Sequence, residues 1–563
     1  MLKLGKVINM KLKKNATVEK LAGRYYTPYT LAQFIVEWGT TGGMEITNVL
    51  EPSCGDGVFL DALRTIDRRF LCTAIEIFEE EATKAAERLI LDDRFNVVVS
   101  DFYNQYINEI RENKYQLIVG NPPYIRYQYL TEEQRDIQTK ILEMSNLKSN
   151  KLINAWVAFV VATISLLDDD AKVGLVIPAE LLQVKYAEQL RSYLMNELTE
   201  ITIITFEELV IKGVDQEVVV LLGRKRAAYE GVHQMKIMEF TNVADLVNNF
   251  GIRDNEEPFQ NIDTENVKWT KYFLNARENE IITRFRNMDN CVRFGDIAEV
   301  DVGITTGNNS FFCVDYQTAA QYDLLSLSRP LIARSVNIPG VTFEESDWLN
   351  NVEKGARTYL IDFNATPDEE ITTKQREYID IGENNEEHTG YKCRIRERWY
   401  AVPSIWEPDA FFLRRNYLYP KFVLNNCHAV STDTMHRISF LMGTDRKRAV
   451  LAYYNSIGFA FTELEARSYG GGVLEILPRE LENVTIPNLV DLDVEDEVVE
   501  MLFDYIDNVI RREEDIEVAL DMIDQTLLIQ RMGFAEEDIR TCRSIWHRLK
   551  DRRIGRGNNI EVN

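Results

Sequence analysis

The run Tyr115-Gln116-Leu117-Ile118-Val119-Gly120, followed directly by Asn121-Pro122-Pro123-Tyr124, decides the fold of the first half of this sequence. An apolar run bounded by turn residues is typical of a buried strand. Each proline fixes its own φ, and the second proline also holds the first in an extended conformation. The sequence therefore predicts two rigid acceptors at a strand end, the Asn121 side chain and the Pro122 carbonyl, with Tyr124 beside them. They suit a planar group that carries an NH2, but a rigid loop without chemistry is the alternative.

The composition is that of a globular protein with several domains. The chain has 563 residues, so two or three domains are expected. Its seven cysteines have no Cys-x-x-Cys spacing and its five histidines form no metal-ligand pair. We therefore predict no metal site and no disulfide framework, which fits a reducing cytoplasm. No apolar segment follows the basic residues 1–14, and no run is long enough to cross a bilayer, so neither a secretory signal nor a membrane segment is expected.

Three more predicted strands precede the first one quoted, and each ends in an acidic residue. The strands over 48–50, 72–75 and 95–99 end in Glu51, Glu76 and Asp101. In a parallel sheet the ligand lies along the carboxyl ends of the strands. One such carboxylate alone would be an ordinary solvated loop residue, but the recurrence at successive strands predicts a binding site that also includes Asn121.

The residues around these strand ends indicate which ligand the site takes. The loop from Pro52 to Gly57 lacks a full Gly-x-Gly-x-x-Gly, so it does not predict a pyrophosphate cradle. An acidic loop suits an ammonium group and repels phosphates, which favours S-adenosylmethionine over a nucleotide phosphate. Glu76 is predicted to accept hydrogen bonds from ribose hydroxyls, with Ile77 facing the adenine ring. Asp101 would accept from the adenine amino group, and Phe102 would pack on the ring.

A helix is predicted to begin shortly before the first strand. Thr27 precedes Pro28 and an apolar stretch from Leu31 onward. A threonine cap followed by a first-turn proline is a typical helix start. We therefore predict that Thr27 caps this helix, whether or not it also contacts a ligand.

In combination these segments resemble a γ-class, TaqI-like adenine-N6 DNA methyltransferase of restriction–modification systems. The Thr-Pro element stands ahead of the glycine loop and the Asn-Pro-Pro-Tyr tetrapeptide after it, which is the order of that class. The resemblance extends over 154–167 as a helix and 173–178 as the next strand. The matching segments are Tyr26-Thr27-Pro28, Glu51-Pro52-Ser53-Cys54-Gly55-Asp56-Gly57, Glu76-Ile77, Asp101-Phe102 and Asn121-Pro122-Pro123-Tyr124.

The resemblance implies an α/β fold: a Rossmann-like S-adenosylmethionine-dependent methyltransferase domain over 1–230, an α+β DNA target-recognition domain over 231–490 and a helical C-terminal region over 491–563. It implies transfer of a methyl group to N6 of an adenine flipped out of double-stranded DNA, with Asn121, Pro122 and Tyr124 as catalytic residues. The implied cofactor-binding residues are Tyr26, Thr27, Glu51, Ser53, Cys54, Gly55, Asp56, Glu76, Ile77, Asp101, Phe102, Asn121 and Pro123.

The flipped adenine would stack on Tyr124, and relatives often hold its other face with a second aromatic residue just ahead of a strand. Here that position, ahead of the strand predicted over 218–222, is occupied by Ile211. Either Ile211 as an aliphatic clamp or Phe206 could take the role. The sequence leaves this contact open.

A net charge of −26 argues against a nucleic acid partner, but the average conceals a basic region. Between Tyr391 and Arg448, 11 basic residues stand against five acidic ones, and aromatic residues are interleaved, among them Trp399, Tyr400, Trp406, Phe411, Phe412, Tyr417 and Tyr419. Lys392, Arg394, Arg396 and Arg398 alternate, so a strand would place all four on one face, where they could follow a phosphate backbone. The alternative is a solvated face paired with acidic residues elsewhere. Arg467 and Tyr469, beside the glycines at 470–472, are further candidate DNA contacts, because this turn recurs in the recognition domain of the family.

The remaining segments complete the predicted organisation. Residues 248–265 are interpreted as a linker, 299–309 and 311–314 as two strands about a turn, and 491–525 and 536–553 as helices. The helices could receive a partner or pack within the molecule. A monomer that acts on double-stranded DNA is expected. Nothing resembles a fused nuclease domain, and a cognate restriction endonuclease is left open. The rival hypotheses are an RNA or protein-glutamine methyltransferase and a DNA-binding specificity protein without activity.

Overall fold

The computed structural model describes residues 26–89, 92–125, 127–149, 153–211, 217–227, 229–262, 269–469, 472–489 and 492–558. The described residues up to Phe273 form one compact unit, and those from Leu274 to Gly557 form a second. None of the helices in these ranges combines the length and the apolar character needed to span a bilayer.

The first unit is built on a nine-stranded sheet with the order β3-β2-β1-β4-β5-β7-β6-β8-β9. Strands β1 to β5 pair in parallel, whereas β7 runs antiparallel to both of its neighbours. The strands are β1 Asn48–Glu51, β2 Leu71–Glu76, β3 Phe95–Val99, β4 Tyr115–Gly120, β5 Leu167–Pro178, β6 Glu200–Phe206, β7 Val218–Lys225, β8 Gln234–Phe240 and β9 Gln260–Asn261. A parallel sheet interleaved with helices confirms the predicted Rossmann-like domain.

The helices of the first unit alternate with these strands. They are α1 Tyr29–Thr40, α2 Val58–Arg64, α3 Glu79–Arg88, α4 Phe102–Gln105, α5 Glu132–Met144, α6 Ala155–Ser165, α7 Glu188–Glu197 and α8 Val243–Glu256. Leu117, Ile118 and Val119 of β4 are completely buried, as expected for a central strand covered on both faces. The apolar run quoted at the outset forms β4 from its first to its last residue, so this prediction is confirmed.

Two local predictions in the first unit are wrong. Helix α1 begins at Tyr29 with Pro28 at its N-cap position, and no side chain caps it, so Thr27 is not the cap. The predicted linker over 248–265 instead contains most of α8 and the short strand β9, while 263–265 lie outside the described residues. Asn242 nucleates α8, because its side chain accepts hydrogen bonds from the Ala244 and Asp245 amides.

The first unit also extends beyond the boundary expected at residue 230. That position falls between β7 and β8, which belong to the same sheet. Strand β8 pairs in parallel with β6 along its whole length, from Gln234 to Phe240. The apolar side chains of β8 therefore complete the core of the first unit.

The second unit mixes strands and helices and agrees with the predicted α+β class. Its described strands form sheets of two, five, four and three members, with the orders β10-β23, β11-β20-β16-β18-β14, β12-β15-β13-β19 and β17-β22-β21. The strands are β10 Cys291–Arg293, β11 Ala298–Val302, β12 Cys313–Val314, β13 Ser328–Ile332, β14 Thr342–Phe343, β15 Tyr359–Ile361, β16 Ala410–Leu413, β17 Arg415–Asn416, β18 Phe422–Asn425, β19 Val430–Ser431, β20 Met435–Phe440, β21 Arg467–Tyr469, β22 Val473–Glu475 and β23 Thr485–Pro487.

The helices of the second unit include a long C-terminal set. They are α9 Ala276–Arg286, α10 Asn309–Phe312, α11 Tyr316–Gln321, α12 Glu345–Glu353, α13 Thr373–Asn384, α14 Tyr391–Arg394, α15 Arg446–Tyr453, α16 Ser456–Glu465, α17 Pro478–Glu482, α18 Asp496–Arg511, α19 Ile516–Ile523 and α20 Glu536–Asn558. The predicted C-terminal helices are confirmed. Leu502 and Ile506 of α18 and Trp546 of α20 are buried in the same core as Tyr453, so these helices pack within the unit.

Two predictions in the second unit need correction. The strand expected over 311–314 is half helix, since α10 ends at Phe312, and β12 pairs with β15 and not with β11. The alternating cations at 392–398 do not lie on a strand, because Tyr391–Arg394 is a helical turn. The Arg394 amide donates to the Gly390 carbonyl at 2.9 Å, which closes this turn, and Cys393 is buried in it.

Candidate active site

The carboxyl ends of β1, β2 and β4 meet at one edge of the sheet of the first unit, because these strands are neighbours. The Gly55 amide donates to Glu76 Oε2 at 2.9 Å and joins the loop after β1 to the end of β2. The Ser53 hydroxyl donates to the Asn121 carbonyl oxygen at 3.0 Å and joins the same loop to the end of β4. The structure therefore brings Ser53, Gly55, Glu76 and Asn121 together, as the sequence predicted.

The Asn121 side chain is held on both of its polar atoms. Its Nδ2 donates to Thr27 Oγ1 at 3.1 Å, and Thr27 is buried. The Tyr124 hydroxyl lies 2.7 Å from Asn121 Oδ1 and 2.9 Å from the Val176 carbonyl oxygen, so its single proton is shared between two acceptors. These two partners hold the plane of the amide in place. An amide oxygen has two lone pairs, so Oδ1 can accept a further hydrogen bond.

Glu51, at the end of β1, is a buried carboxyl group at the same edge of the sheet. Its side chain is almost fully buried, and Oε2 has no hydrogen-bond partner among the described residues. Burial raises the pKa of this carboxyl well above its usual range, and the nearby Glu76 and Asp56 carboxylates raise it further. A buried carboxylate without a partner is costly, so this geometry suits a cationic ligand group that would pair with it.

The loop after β1 leaves room for such a ligand. Gly55 has a φ of +52°, and a Cβ placed on it would meet no atom within 4 Å, so open space lies beside this residue. Cys54, in contrast, is buried and its amide donates to the Ile75 carbonyl at 2.9 Å. Arg88 forms a 2.6 Å ion pair with Asp56, which holds that carboxylate toward α3. Thus Gly55 borders the open space, whereas Cys54 and Asp56 are bonded to neighbouring protein groups and hold the loop in place.

The ends of β2 and β3 carry the other predicted cofactor residues. Glu76 is buried and also accepts from the Phe78 amide at 2.9 Å. Ile77 is 48% exposed. Pro123 is half-buried, and Tyr26 is exposed with its hydroxyl 3.4 Å from Glu81.

Asp101 and Phe102 have structural partners of their own. Asp101 caps α4, because Oδ1 accepts from the Tyr103 amide at 2.7 Å, while Oδ2 accepts from Gln134 Nε2 at 3.1 Å. The Phe102 ring packs in the core with its centroid 4.4 Å from that of Phe159. Asp101 thus retains acceptor capacity beside these bonds, whereas Phe102 offers little surface to a ligand.

The residues predicted to hold the flipped base are buried. Tyr124, Phe206 and Ile211 all belong to the core of the first unit. Residues 212–216, which follow Ile211, lie outside the described residues. The structure therefore does not assign the second face of the base to either candidate.

Most cations of the basic region are engaged within the second unit. Arg396 Nη2 donates to the Thr306 carbonyl at 2.7 Å, and Arg398 pairs with Asp368 at 3.1 Å. Arg467, which follows the region, pairs with Glu480 at 2.7 Å. Tyr469 lies in β21, and the glycines at 470–471 lie outside the described residues. Among the four predicted strand cations, Lys392 and Arg394 are exposed and have no acidic partner in the described part of the chain. Many cations of this region are therefore paired with acidic residues, which is the alternative to a phosphate-binding row that the sequence left open.

Two functional contacts escaped the sequence reasoning. Thr27 is the partner of the Asn121 amide, and Gln134 orients Asp101. The pattern Thr131-x-x-Gln134 predicts a capping box, which the structure contains, but gives no sign that Gln134 Nε2 reaches Asp101. Within the described residues no group of His, Cys, Asp or Glu side chains could hold a metal ion.

Comparison with known proteins places this site in a family. Residues 62–211 match the family model described as Eco57I restriction-modification methylase. Residues 266–528 match the model described as the C-terminal domain of the Type II methyltransferase M.Eco57I. The two models thus cover parts of both compact units.

Full-length relatives agree with the family models. The Type II methyltransferase M.AccI of Acinetobacter calcoaceticus is 23% identical over 507 residues, which cover 86% of this chain and 89% of that protein. M.XamI of Xanthomonas campestris pv. amaranthicola is 22% identical over 491 residues, or 84% and 86% of the two chains. The Type IIL restriction-modification enzyme MmeI, solved in complex with DNA, superposes with a TM-score of 0.57 at 10% identity over 90% of this chain and 73% of that chain, a likeness of fold alone. This chain belongs to the methyltransferases of restriction–modification systems.

Proposed function

We propose that this protein is an S-adenosylmethionine-dependent DNA methyltransferase that modifies N6 of an adenine flipped out of the double helix. The observation that carries the proposal is the fixed Asn121 amide. Its Nδ2 contacts the buried Thr27 hydroxyl and its Oδ1 contacts the Tyr124 hydroxyl, so the amide is held at the sheet edge, where its oxygen would accept from a planar NH2 group. Two similar proteins support DNA as the substrate. MmeI was solved in complex with DNA, and M.AccI is described as a Type II methyltransferase.

The residues at the sheet edge fit the proposed cofactor. S-adenosylmethionine, when bound, supplies an activated methyl group on a sulfonium. Glu51 Oε2, buried and without a partner in the described chain, would pair with a positively charged part of this molecule. Glu76 would accept from ribose hydroxyls, and Ile77 would cover one face of the adenine ring. The open space beside Gly55 would admit the ligand.

Asn121 and Pro122 would activate the acceptor amine. The lone pair of an exocyclic adenine amine is delocalised into the ring, which makes the nitrogen a poor nucleophile. When the Asn121 side-chain oxygen and the Pro122 carbonyl each accept one N–H, the nitrogen moves toward tetrahedral geometry and its lone pair becomes available. These acceptors stabilise positive charge that develops in the transition state. The proton leaves after methyl transfer, so no strong base is required.

Two rival functions can be distinguished from the proposed one. RNA and protein-glutamine methyltransferases share the Asn-Pro-Pro-Tyr chemistry, but neither requires the large second unit that the Type II C-terminal model matches. A specificity protein without activity would not need the network around Asn121. The proposal also includes action as a monomer in the cytoplasm, with or without a cognate restriction endonuclease.

Acceptor specificity tests the proposed function. The protein would be incubated with tritiated S-adenosylmethionine and, in parallel, with duplex DNA, total RNA and total protein. We expect label in duplex DNA alone. Label in RNA or protein only would replace the proposed substrate, and no label in any acceptor despite cofactor binding would favour the inactive specificity protein.

The Thr27 hydroxyl is expected to act as a positioning group for Asn121. Thr27→Val keeps the shape but removes the acceptor of Asn121 Nδ2, so we expect the turnover number to fall ~10-fold while cofactor affinity changes little. Thr27→Ser should restore turnover, because it restores the acceptor. The measurement is single-turnover methylation together with cofactor titration.

Thr40→Val is the matched control for this substitution. Thr40 is also buried and belongs to the adjacent α1, but its hydroxyl donates to the Val36 carbonyl at 2.9 Å, within the helix. We expect Thr40→Val to leave turnover unchanged. Equal losses in both threonine variants would show a general effect of helix packing and would refute the positioning role.

A further inference from the structure

The first turn of helix α5 contacts two parts of the candidate active site. Gln134 Nε2 donates to Asp101 Oδ2 at 3.1 Å, at the end of β3. The next residue, Arg135, donates from Nε to the Tyr127 carbonyl at 3.3 Å, and its guanidinium carbon lies 4.9 Å from the centre of the Tyr127 ring. Tyr127 follows Tyr124 of the tetrapeptide by three residues. Two consecutive residues of one helix thus contact a proposed cofactor residue and the segment that leaves the acceptor tetrapeptide.

The contact with Asp101 accounts for a glutamine at position 134. Gln134 forms a capping box with Thr131, in which the Thr131 amide donates to Gln134 Oε1 at 3.2 Å. A capping box requires only this oxygen of the side chain, and glutamate also serves there because the helix dipole favours a negative charge in the first turn. What glutamine adds is the Nε2 donor, which lies against Asp101. The Gln134 amide therefore has a second use beyond the start of the helix.

The segment that leaves the tetrapeptide is also held by the start of α6. The Ala155 amide donates to the Ile125 carbonyl at 2.9 Å, and the Tyr127 amide lies 3.4 Å from Asn154 Oδ1. Asn154 occupies the N-cap position of α6, where an asparagine side chain usually accepts from an amide of its own helix. In the described structure it caps no amide of α6, and its Nδ2 donates to the Tyr186 hydroxyl at 3.1 Å. The Asn154 side chain thus serves contacts with other parts of the first unit in place of the helix end.

A buried tyrosine joins the cofactor side to the same helix end. Asp101 Oδ1 accepts from the Tyr103 amide at 2.7 Å, and the Tyr103 hydroxyl donates to the Ala155 carbonyl at 2.6 Å. These contacts close a ring, which we call the brace. A closed ring resists displacement of either side, because such a shift would stretch at least one of its hydrogen bonds. The brace consists of Asp101, Tyr103, Tyr127, Gln134, Arg135, Asn154 and Ala155.

Methyl transfer makes a demand that the brace can meet. The activated methyl group and the acceptor amine belong to two separate molecules, which must be held in line at a short distance. Asp101 is the residue expected to accept from the adenine amine of the cofactor, whereas Asn121 and Pro122 are proposed to hold the acceptor amine. A misplacement of ~1 Å can cost ~10²-fold in rate, so a fixed separation between these two sets of groups favours the reaction.

We infer that Gln134 and Arg135 are positioning residues, which hold the adenine end of the cofactor and the acceptor tetrapeptide at a fixed separation. Gln134 acts through Asp101, and Arg135 acts through Tyr127. The inference rests on the proposed function, because it takes S-adenosylmethionine and an adenine amine as the two groups to be aligned. It assigns a role to α5, a helix that contains none of the residues predicted for the site.

Gln134→Glu separates positioning from helix capping. Glutamate keeps the capping box but replaces the donor to Asp101 by a second carboxylate, so the variant should melt within about 3 °C of the wild type. We expect cofactor affinity to fall ~10-fold, since the two carboxylates repel each other. The single-turnover rate at saturating cofactor and duplex DNA should fall at least ~5-fold, because the cofactor is misplaced. Thermal melting, calorimetric titration and single-turnover methylation measure the three quantities. An unchanged affinity or an unchanged rate would overturn the inference.

Gln33→Glu is the matched control for this substitution. Gln33 Nε2 also donates to a carboxylate of the first unit, that of Glu37 at 2.8 Å, but this pair is exposed and lies within α1. The substitution places the same charge beside a carboxylate, and it should leave both cofactor affinity and rate unchanged. Equal losses in the two glutamate variants would reduce the effect to charge and would refute the positioning role of Gln134.

Arg135→Met tests the acceptor side of the brace. Methionine has a similar helix propensity, but it removes the donor to the Tyr127 carbonyl and the cation over the Tyr127 ring. We expect the single-turnover rate to fall ~10-fold while cofactor affinity stays within about two-fold of the wild type. Lys140→Met, which removes an exposed cation from the same helix, should leave both quantities unchanged. A wild-type rate in Arg135→Met, or an equal loss of rate in Lys140→Met, would contradict the role of Arg135.

The combined variant Gln134→Glu/Arg135→Met decides whether the two residues share one role. Residues that act through the same alignment give non-additive losses, so the rate should fall little further than in the more damaged single variant. Losses that multiply would show two independent effects and would overturn the inference. If wild-type protein binds cofactor but methylates no duplex DNA, the proposed function fails and the inference with it, whereas unaltered variants of an active wild type refute the inference alone.

Discussion

Replacement of Asn121 by alanine is expected to lower the rate of methyl transfer by at least ~10²–10³-fold, the usual loss when one polar group that stabilises a transition state is removed. The Asn121 amide is the group that we propose as the acceptor of the adenine amine, and its contacts with Thr27 and Tyr124 hold it in place. Cofactor affinity should stay within a few-fold, because the charged partner proposed for the cofactor is Glu51. Single-turnover methylation and cofactor titration separate the two effects.

Asn113→Ala controls for general damage to this strand. Asn113 is exposed in the turn that precedes β4, so its loss should leave both rate and affinity unchanged. Asn121→Asp keeps one acceptor oxygen but removes the Nδ2 donor to Thr27. Its rate of methyl transfer should lie between those of Asn121→Ala and the wild type. Loss of cofactor binding in Asn121→Ala, with an unchanged rate at saturating cofactor, would contradict the catalytic role.

Glu51→Gln is expected to weaken cofactor binding by ~10–100-fold, which corresponds to about 1.5–3 kcal/mol for a hydrogen bond to a charged group. Because the pKa of Glu51 is raised in the cofactor-free protein, binding of a cation to its ionised form must release a proton. Affinity in the wild type should therefore rise with pH, and the variant should lose this dependence. Calorimetric titration at several pH values measures both.

The same substitution is expected to stabilise the cofactor-free protein. A carboxyl with a raised folded-state pKa contributes stability that is complete below its ordinary value and is lost as pH rises through the raised pKa. Glutamine stays neutral, so Glu51→Gln should melt at a higher temperature than wild type at neutral pH and equally at pH 4. A lower melting temperature at neutral pH, or unchanged cofactor affinity, would contradict the assignment of Glu51.

The fold of the first unit and the position of its site were predictable because the signals are local. Apolar runs that end in Glu51, Glu76 and Asn121 identify parallel strands, and the topology then brings their ends to one edge. The contact between Thr27 and Asn121 spans 94 residues and has no such signal, so Thr27 was misinterpreted as a helix cap.

The second unit was less predictable, for a physical reason. The alternation Lys392, Arg394, Arg396 fits one face of a strand, but the segment forms a helical turn, and Arg396 reaches the Thr305 and Thr306 carbonyls. These partners lie 91 and 90 residues away in sequence, so the local pattern does not indicate them. In the first unit the predicted linker is wrong for a local reason, because the cap of α8 at Asn242 lies ahead of the polar segment 248–265.

The nature of the methylated atom tests the central proposal most directly. Duplex DNA treated with the protein and methyl-labelled S-adenosylmethionine would be digested to nucleosides and separated by mass spectrometry. We predict N6-methyldeoxyadenosine as the labelled product, absent with Asn121→Ala and undiminished with Asn113→Ala. Label in N4-methyldeoxycytidine or in 5-methyldeoxycytidine, with no labelled deoxyadenosine derivative, would contradict it.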